Sequence, residues 1–545
     1  MSRIVELYSN ERLQFLLAWL IIISVYVLFR INLLDMPLDR DEGAFGYMGQ
    51  LLNSGGIPYR DALDHKPPLI FHIYAFGLNF FPATARGVHL YAHAYNFLTL
   101  VTLFFVAKIY FRSTLTGLLA ALAYAVFTCS PAIQGFTAST ELFMLLPITL
   151  SLLFALLSFH HRHLILPFIS GMFAAAACWI KPPAFATVLP IFLLVSLPWL
   201  STRKAAIRDS LADYLKSGSV WVGGGLATSL LIVGFYAYHG AFENLVYWVF
   251  EHNLIYAGQG RSLTANLTAV SQHLLLILKG DGIVLICAVL GIALMTKREW
   301  RIGAFPLLFL LFSLIGVVPG HNYAHYFMQL APAAALSAGY GIKVMLRPTQ
   351  SPTNLVTLGY ICIAGLIALP FSVHSKYYLS TNPALSSHNY FGANPFPESE
   401  IIAGYLASHT TPDETILIFG SEAQIPFLAE RRNATRHIFF YPLMRAFPRH
   451  AEFQREAWKD IERTIPRYIV KVGVPTSFVW DGKAETWIID KLNSLLKKRY
   501  SLAAWIPVSN ESPTLFHVSG TSSSITQEID KYRYPILIYK RNNEP

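Results

Sequence analysis

Long apolar stretches recur through this chain and restrict the folds that are open to it. A span of a bilayer needs about 20 mostly apolar residues in a helix, because the backbone finds no water to bond inside lipid. The composition agrees, since 54% of the 545 residues are hydrophobic and 14% are charged. We therefore predict a polytopic α-helical membrane protein with about eleven spans, at residues 13–33, 88–110, 116–132, 141–159, 164–180, 183–200, 218–238, 282–296, 303–319, 326–345 and 354–372.

The basic residues predict the orientation of these spans. They fall in alternate short loops, and cytoplasmic loops are the ones enriched in Lys and Arg. These residues are Lys108, Arg112, Arg162, Arg203, Lys204, Arg208, Lys297, Arg298, Arg301, Lys343 and Arg347. The pattern places the N-terminus inside and the C-terminal region outside. The net charge of +10 therefore reflects topology, and no basic run with interleaved aromatics indicates nucleic-acid binding.

The first apolar stretch, residues 13–33, also has to be compared with a secretory signal peptide. It is too long for one and lacks a small-residue cleavage site, so we expect a retained span.

After residue 373 the chain changes character. Apolar runs at 414–420, 437–440, 467–473 and 502–508 are typical of strands, and residues 422–431, 452–464 and 484–499 have helical periodicity. This alternation predicts an α/β domain. The expected division is a transmembrane domain at 1–372 and an extracytoplasmic α/β domain at 373–545.

Two longer loops, 34–87 and 239–281, lie on the predicted outer side. In the first, Phe45, Met48, Leu51 and Leu52 form an apolar helical face suited to lying on the membrane. Residues 69–81 follow two prolines and are too short to cross, so we expect an interfacial or re-entrant segment.

The first outer loop also carries charged residues at the membrane surface. Its segment LDRDEGAFGYMGQLLNSGGIPYRDALDHKPPL, residues 38–69, contains Asp41, Glu42 and Lys66. Charges beside lipid are costly, which favours a functional reading. The alternatives are that Asp41 caps a helix beginning near Gly43 and that Lys66 is a snorkelling lysine.

Three further segments place reactive or cationic side chains at outer span ends. Glu141 begins an apolar helix, where an acid also favours the helix dipole. Lys181 lies in WIKPPA, where snorkelling and phosphate binding are equally compatible with the sequence. His325 and Tyr326 lie in HNYAHYFMQLAP, which an aromatic belt would also explain.

The segment DEGAFGYMGQLLNSGGIPYRDALDHKPPL resembles the first outer loop of the GT-C membrane glycosyltransferases, among them bacterial aminoarabinose transferases and protein O-mannosyltransferases. In that family an acid follows the first span and a Lys-Pro-Pro-Leu motif follows an interfacial helix. The resemblance implies transfer of a sugar from a polyprenyl-phosphate carrier to an acceptor on the outer face.

The same resemblance implies roles for individual residues. Asp41 is expected to be the general base, with Glu42 orienting a substrate hydroxyl or a metal and Glu141 as a second acid. Lys66 is expected to bind the donor phosphate. Lys181, His325 and Tyr326 are further candidates for binding phosphate or sugar. His65 stands where the aminoarabinose-type relatives have an acid, so the sequence departs from the family there.

From the motif and the chemistry we predict an inverting glycosyltransferase of the bacterial inner membrane. Its acceptor would be lipid A, another envelope polysaccharide or a protein. A divalent metal stays open: His65, His325 and Glu42 are conceivable ligands, but their spacing in the sequence supports no site.

Two other classes of protein remain as alternatives. A transporter or flippase of lipid-linked sugars would place ionisable residues at mid-span and would contain repeated halves. A non-catalytic envelope protein would use the C-terminal domain to bind a partner.

Overall fold

The computed structural model describes residues 11–161, 163–197, 211–258, 262–346, 353–509, 513–518 and 527–542. The predicted topological residues Arg162, Arg203, Lys204, Arg208 and Arg347 lie outside these ranges. The chain divides into two compact units. The first, called the helical unit below, comprises Met1–Leu34, Tyr91–Gly234 and Tyr256–Ser380, and the second, called the mixed unit, comprises Asp35–Leu90, Phe235–Ile255 and Thr381–Pro545.

Every predicted span coincides with a helix. These helices are Glu11–Leu28, Ala85–Phe111, Thr114–Phe127, Thr140–His161, Ile165–Ile180, Ala184–Ser196, Leu211–Tyr238, Gly282–Arg298, Trp300–Ile315, Ala331–Met345 and Thr353–Tyr378. Among the described residues, five helices are long and apolar enough to cross a membrane, or up to six when a bent pair counts as one span. The chain is therefore multi-pass by length and composition, while the count of about eleven spans stays a prediction.

The bent pair consists of Leu263–Gly280 and Gly282–Arg298, which meet at 102°. The sequence places the first of these helices within the outer loop 239–281. Asp281 lies at the break between them and is fully buried.

Small residues bring helices of the helical unit into close contact. The helix Ala331–Met345 is almost entirely buried. A Cβ on its Gly339 would lie 2.6 Å from the backbone nitrogen of Ala120, and one on Gly291 would lie 2.1 Å from the carbonyl oxygen of Ser337. Glycine at these positions lets the backbones approach, as is common between membrane helices.

The mixed unit contains a five-stranded sheet with the order β1-β2-β5-β3-β4. Its strands are β1 Ile416–Phe419, β2 Tyr468–Val472, β3 Tyr500–Pro507, β4 Phe516–His517 and β5 Pro535–Arg541. β1 and β2 are parallel, and the other pairs are antiparallel. One face carries a core of aliphatic side chains from β1, β2, β3 and β5, so the predicted mixture of helices and strands is present.

The helices of the mixed unit come from the first outer loop, the second outer loop and the C-terminal region. They are Arg40–Asn53, Leu69–Leu78, Phe242–Val246, the π-helix Tyr247–Glu251, Pro383–Phe391, Phe396–His409, Gln424–Ala429, His450–Thr464, Pro475–Phe478 and Trp487–Arg499. A further helix, His252–Gly258, follows the π-helix.

The strand predicted at 437–440 is wrong. This segment forms only an isolated bridge between His437 and Leu63 and then turns into a 3₁₀ helix, Tyr441–Leu443. The backbone N–H groups of Phe440 and Tyr441 donate to the hydroxyl of Ser421. That side-chain acceptor takes the place of a neighbouring strand, so the apolar run is buried without entering the sheet.

The membrane-facing role predicted for the face of the helix Arg40–Asn53 is also wrong. Phe45 and Met48 are 1% and 0% exposed, because the protein itself covers them. The Phe45 ring lies 5.6 Å from the Tyr74 ring. This helix is therefore part of the core of the mixed unit rather than a surface element.

Candidate functional site

The helix Arg40–Asn53 begins with a capping box formed by Asp39 and Glu42. The Asp39 carboxylate accepts from the backbone N–H of Glu42 at 2.9 Å, and the Glu42 carboxylate accepts from that of Asp39 at 2.9 Å. Burial, and then the neighbouring carboxylates of Glu42 and Asp41, raise the pKa of Asp39 well above its usual value. The alternative of Asp41 as the helix cap is therefore wrong, and its carboxylate serves another purpose.

That carboxylate forms an ion pair with Lys66. Lys66 Nζ donates to Asp41 Oδ2 at 2.8 Å, and the two side chains are 14% and 42% exposed, respectively. Burial alone would lower the pKa of the Lys66 ammonium, but the carboxylates of Asp41 and Asp64 raise it well above its usual value. The acid and the amine that the motif singles out thus share one place in the mixed unit.

The loop before Lys66 is held by a buried tyrosine. Tyr59 is fully buried, has a positive φ of 66° and donates from its hydroxyl to the carbonyl oxygen of Lys66 at 2.6 Å. Non-glycine residues with positive φ are uncommon and cost free energy that the surroundings must supply. The backbone of Lys66 is therefore held in place by a buried residue in a strained backbone conformation.

Glu42 lies inside the protein beside a histidine. It is 1% exposed, and its Oε1 is 3.0 Å from Nε2 of His89, which is equally buried. Its other oxygen belongs to the capping box. These contacts support the helix from which Asp41 projects, and the predicted role of Glu42 in orienting substrate stays a prediction.

His65 is surrounded by polar groups from distant parts of the sequence. Its Nδ1 lies 2.9 Å from the Tyr441 hydroxyl and 3.2 Å from Asp64 Oδ1. Its carbonyl oxygen accepts from Asn253 at 2.7 Å. Neither Asp64 nor Tyr441 was identified from the sequence, because Tyr441 is 376 positions from His65 and Asp64 has no distinguishing motif.

The other predicted residues meet in the helical unit. Lys181 Nζ donates to Glu141 Oε1, and Thr140 donates to Glu141 Oε2 at 2.9 Å. His325 Nε2 lies 3.8 Å from Glu141 Oε1. Lys181 Nζ also lies 4.1 Å from the centre of the Tyr326 ring, within the range of a cation–π contact.

Gln134 lies beside these residues and was missed by sequence reasoning, as was Thr140. Gln134 Oε1 contacts Nδ1 of His325, and Gln134 itself adopts φ 52° at the end of a 3₁₀ turn. A positive φ at a glutamine is the kind of backbone outlier found at functional sites, but only coordinates reveal it. The predicted set Glu141, Lys181, His325 and Tyr326 is thus contiguous in space.

A resident metal finds little support in the donor atoms. Among the residues that the structure describes, no group of three or more His, Cys, Asp or Glu side chains is arranged to hold a metal ion. His65 has Tyr441 and Asp64 as neighbours, and His325 has Gln134 and Glu141.

Comparison with known proteins gives matches among solved structures alone. No protein-family model and no curated protein matches the sequence. The crystal structure of ArnT from Cupriavidus metallidurans bound to undecaprenyl phosphate is similar with a TM-score of 0.57 and 14% identity, over 92% of this chain and 99% of that one. Its apo state is similar with a TM-score of 0.56 and 13% identity, over 95% and 97%.

The arabinofuranosyltransferase AftD from Mycobacteria also matches, with a TM-score of 0.49 and 13% identity, over 98% of this chain and 40% of that one. ArnT is a GT-C membrane glycosyltransferase. The match to ArnT covers nearly the whole length of both chains, so it concerns the complete architecture. The resemblance indicated by the outer-loop motif is thereby confirmed at the level of the fold: this chain has the fold of the GT-C membrane glycosyltransferases.

Proposed function

We propose that this protein is an inverting glycosyltransferase of the bacterial inner membrane. It moves a sugar from a polyprenyl-phosphate carrier to an envelope acceptor (lipid A, another polysaccharide or a protein) on the outer face. The observation that carries the proposal is the 2.8 Å ion pair between Asp41 and Lys66. The similar fold of ArnT, a structure of which binds undecaprenyl phosphate, supports the class of donor.

The chemistry of this transfer needs a base and a cation, which this pair would supply. The acceptor oxygen attacks the anomeric carbon while the bond from that carbon to the phosphate oxygen breaks. Asp41 takes the proton of the acceptor hydroxyl as general base. The phosphate leaves with the bonding electron pair, and the Lys66 ammonium stabilises its developing charge.

Binding of the donor phosphate can also change the state of Asp41, because both compete for the Lys66 ammonium. Lys66 Nζ donates to Asp41 Oδ2, so this carboxylate oxygen is already occupied. An arriving donor phosphate carries negative charge and competes for the same ammonium. Exchange of Lys66 from Asp41 to the phosphate would leave Asp41 ready to accept a proton only when the donor is bound.

The cluster of Glu141, Lys181, His325 and Tyr326 carries the remaining proposed roles. An acid, an ammonium, an imidazole and a phenol ring are chemically suited to a phosphate-linked sugar. In this proposal Glu141 is a second acid, and Lys181, His325 and Tyr326 bind phosphate or sugar. Glu141→Gln and Lys181→Gln test these roles in the helical unit independently of Asp41.

Mass spectrometry of envelope glycolipids and glycoproteins, from cells with and without this protein, identifies the donor and the acceptor. Sugar transfer between them is then measured with the purified protein in proteoliposomes. Asp41→Asn should reduce transfer at least about 10²-fold, the range typical of loss of a general base. Expression and membrane insertion should stay unchanged. Normal transfer by Asp41→Asn would remove Asp41 from this role.

A transporter of lipid-linked sugars is the second candidate, and one observation favours it. Asp281 is fully buried at the 102° break between two apolar helices, where Ser130 donates to its Oδ2 and His374 Nε2 lies 3.2 Å away. Buried acids at broken helices are typical of transport sites. Asp281→Asn separates the two functions: a transporter would lose translocation of undecaprenyl-phosphate sugars, whereas an enzyme would retain catalytic transfer.

A further inference from the structure

Asp64 is a buried carboxylate beside the Asp41–Lys66 pair. It is 2% exposed, and its Oδ1 accepts from the backbone N–H of Lys66 at 3.2 Å and lies 3.2 Å from His65 Nδ1. Its Oδ2 is also buried but has no hydrogen-bond partner among the residues that the structure describes. One oxygen of this side chain therefore holds the loop, while the other accepts no hydrogen bond from the described residues.

An unpartnered carboxylate oxygen inside a protein is costly, so most such groups are paired. Asp64 also strengthens the positive charge of its neighbour, because its carboxylate helps to raise the pKa of Lys66. A purely structural anchor would need only the oxygen that accepts from Lys66. The capacity of the second oxygen to accept a hydrogen bond is thus unused by the residues that the structure describes.

The position of Lys66 identifies the class of donor group that would use this capacity. A phosphate bound by the Lys66 ammonium carries its sugar directly on one phosphate oxygen, so the sugar hydroxyls lie within a few bonds of the phosphorus. A sugar hydroxyl is a hydrogen-bond donor of the required kind, and a charged acceptor forms the stronger bonds with it.

We propose that Asp64 is a sugar-binding residue whose Oδ2 accepts a hydrogen bond from a hydroxyl of the donor sugar. This inference rests on the proposed function. The two residues then have different roles: Lys66 binds the phosphate common to all carriers, and Asp64 distinguishes the sugar that the carrier bears.

Asp61 offers a matched control in the same loop. Both of its oxygens have partners, since Arg60 donates to Oδ1 and Oδ2 and the backbone N–H of Ile57 donates to Oδ2. Asp61→Asn therefore makes the same chemical change at a carboxylate with no spare oxygen. Asp64→Asn keeps the shape of the side chain and an acceptor for the N–H of Lys66.

The experiment measures binding to detergent-solubilised wild type, Asp64→Asn and Asp61→Asn. The probes are undecaprenyl phosphate and the same lipid carrying glucose, galactose, mannose or arabinose. We expect at least one sugar-bearing lipid to bind the wild type more tightly than undecaprenyl phosphate. Asp64→Asn should remove that gain, about tenfold or more, with undecaprenyl phosphate binding within twofold of the wild type and Tm equal or higher.

The outcomes separate this inference from the proposed function. Undecaprenyl phosphate that fails to bind the wild type would overturn both. Three results would overturn the role of Asp64 alone: no sugar-dependent gain in the wild type, equal behaviour of Asp64→Asn and Asp61→Asn, or weaker binding of undecaprenyl phosphate by Asp64→Asn together with a lower Tm. The last result would identify Asp64 as a structural support of Lys66.

Discussion

Acidic residues that are close in the sequence have different surroundings within the first outer loop. Asp39 caps a helix, Glu42 completes the cap beside His89, and Asp41 alone of these three pairs with Lys66. The backbone of a helix explains this division, because residues at Ncap and N3 face the free N–H groups, while Asp41 at N2 points elsewhere. Asp41 is therefore the acid that forms the ion pair with Lys66.

Another acid of the mixed unit, Glu400, should give folding stability a distinct pH dependence. Burial raises the pKa of its carboxyl from 4.5 to about 7, with His89 opposing and Asp35 adding to the shift. The folded state therefore holds a proton that the unfolded state releases, so this group makes stability fall as the pH rises from 4.5 to about 7. Glu400→Gln should raise the free energy of unfolding at pH 8 by about 1–3 kcal/mol.

The measurement is the pH dependence of Tm in detergent for Glu400→Gln and for Glu462→Gln, a control at an exposed glutamate. At pH 4 Glu400→Gln should equal the wild type, because Glu400 is then protonated in both states. A gain of equal size at pH 4 and pH 8 would contradict the assignment of this pH dependence to Glu400.

At the scale of elements, two glycines explain why the helix Arg40–Asn53 is buried. A Cβ on Gly43 would lie 2.3 Å from the backbone of Gln424, and one on Gly46 would lie 2.7 Å from the Phe427 ring. The helix Gln424–Ala429 therefore packs directly against this helix. In the sequence alone these glycines indicate only that the segment has a low helix propensity. Their role in close packing is visible only when the partner helix Gln424–Ala429 is known.

Gly43→Ala should destabilise the protein by about 1–3 kcal/mol, the usual cost of overpacking. The added methyl group meets backbone atoms, which cannot rotate away. Gly404→Ala is the matched control, since it lies in the helix Phe396–His409 and a Cβ there meets nothing within 4 Å. We expect that variant to be neutral or up to about 1 kcal/mol more stable, from helix propensity.

Thermal unfolding of both variants in one detergent checks this pair. If Gly43→Ala and Gly404→Ala have the same Tm, close packing of the two helices is not what holds the first outer loop.

At the scale of the whole molecule, the charge pattern predicts which side each region occupies. Lys459 is exposed in the C-terminal region, and Lys297 ends a membrane-type helix on a predicted cytoplasmic loop. In right-side-out vesicles, Lys459→Cys should react with a membrane-impermeant maleimide, and Lys297→Cys should react only after permeabilisation. Wild-type protein, with its Cys129, Cys178, Cys287 and Cys362, sets the background. Labelling in the opposite order would reverse the predicted topology.

The sequence alone determined the membrane class, the helices at all eleven apolar stretches and the residues of the first outer motif. These features come from hydrophobic length and from local motifs, which are readable in one segment. It missed β5 and proposed a strand at 437–440, where Ser421 supplies the hydrogen bonds. Apolar runs indicate burial, but the choice between strand and loop depends on which partner lies alongside.

Only the tertiary structure decided the use of each polar side chain. Asp39 caps the helix, which leaves the Asp41 carboxylate to form an ion pair with Lys66. Tyr441 contacts His65 although the two residues are 376 positions apart in the sequence. The fold also decides that Asp64 Oδ1 accepts from the backbone of Lys66, while Oδ2 has no partner among the described residues. Hydrogen bonds and ion pairs act over about 3–4 Å, and such distances between remote residues are set by packing rather than by sequence spacing.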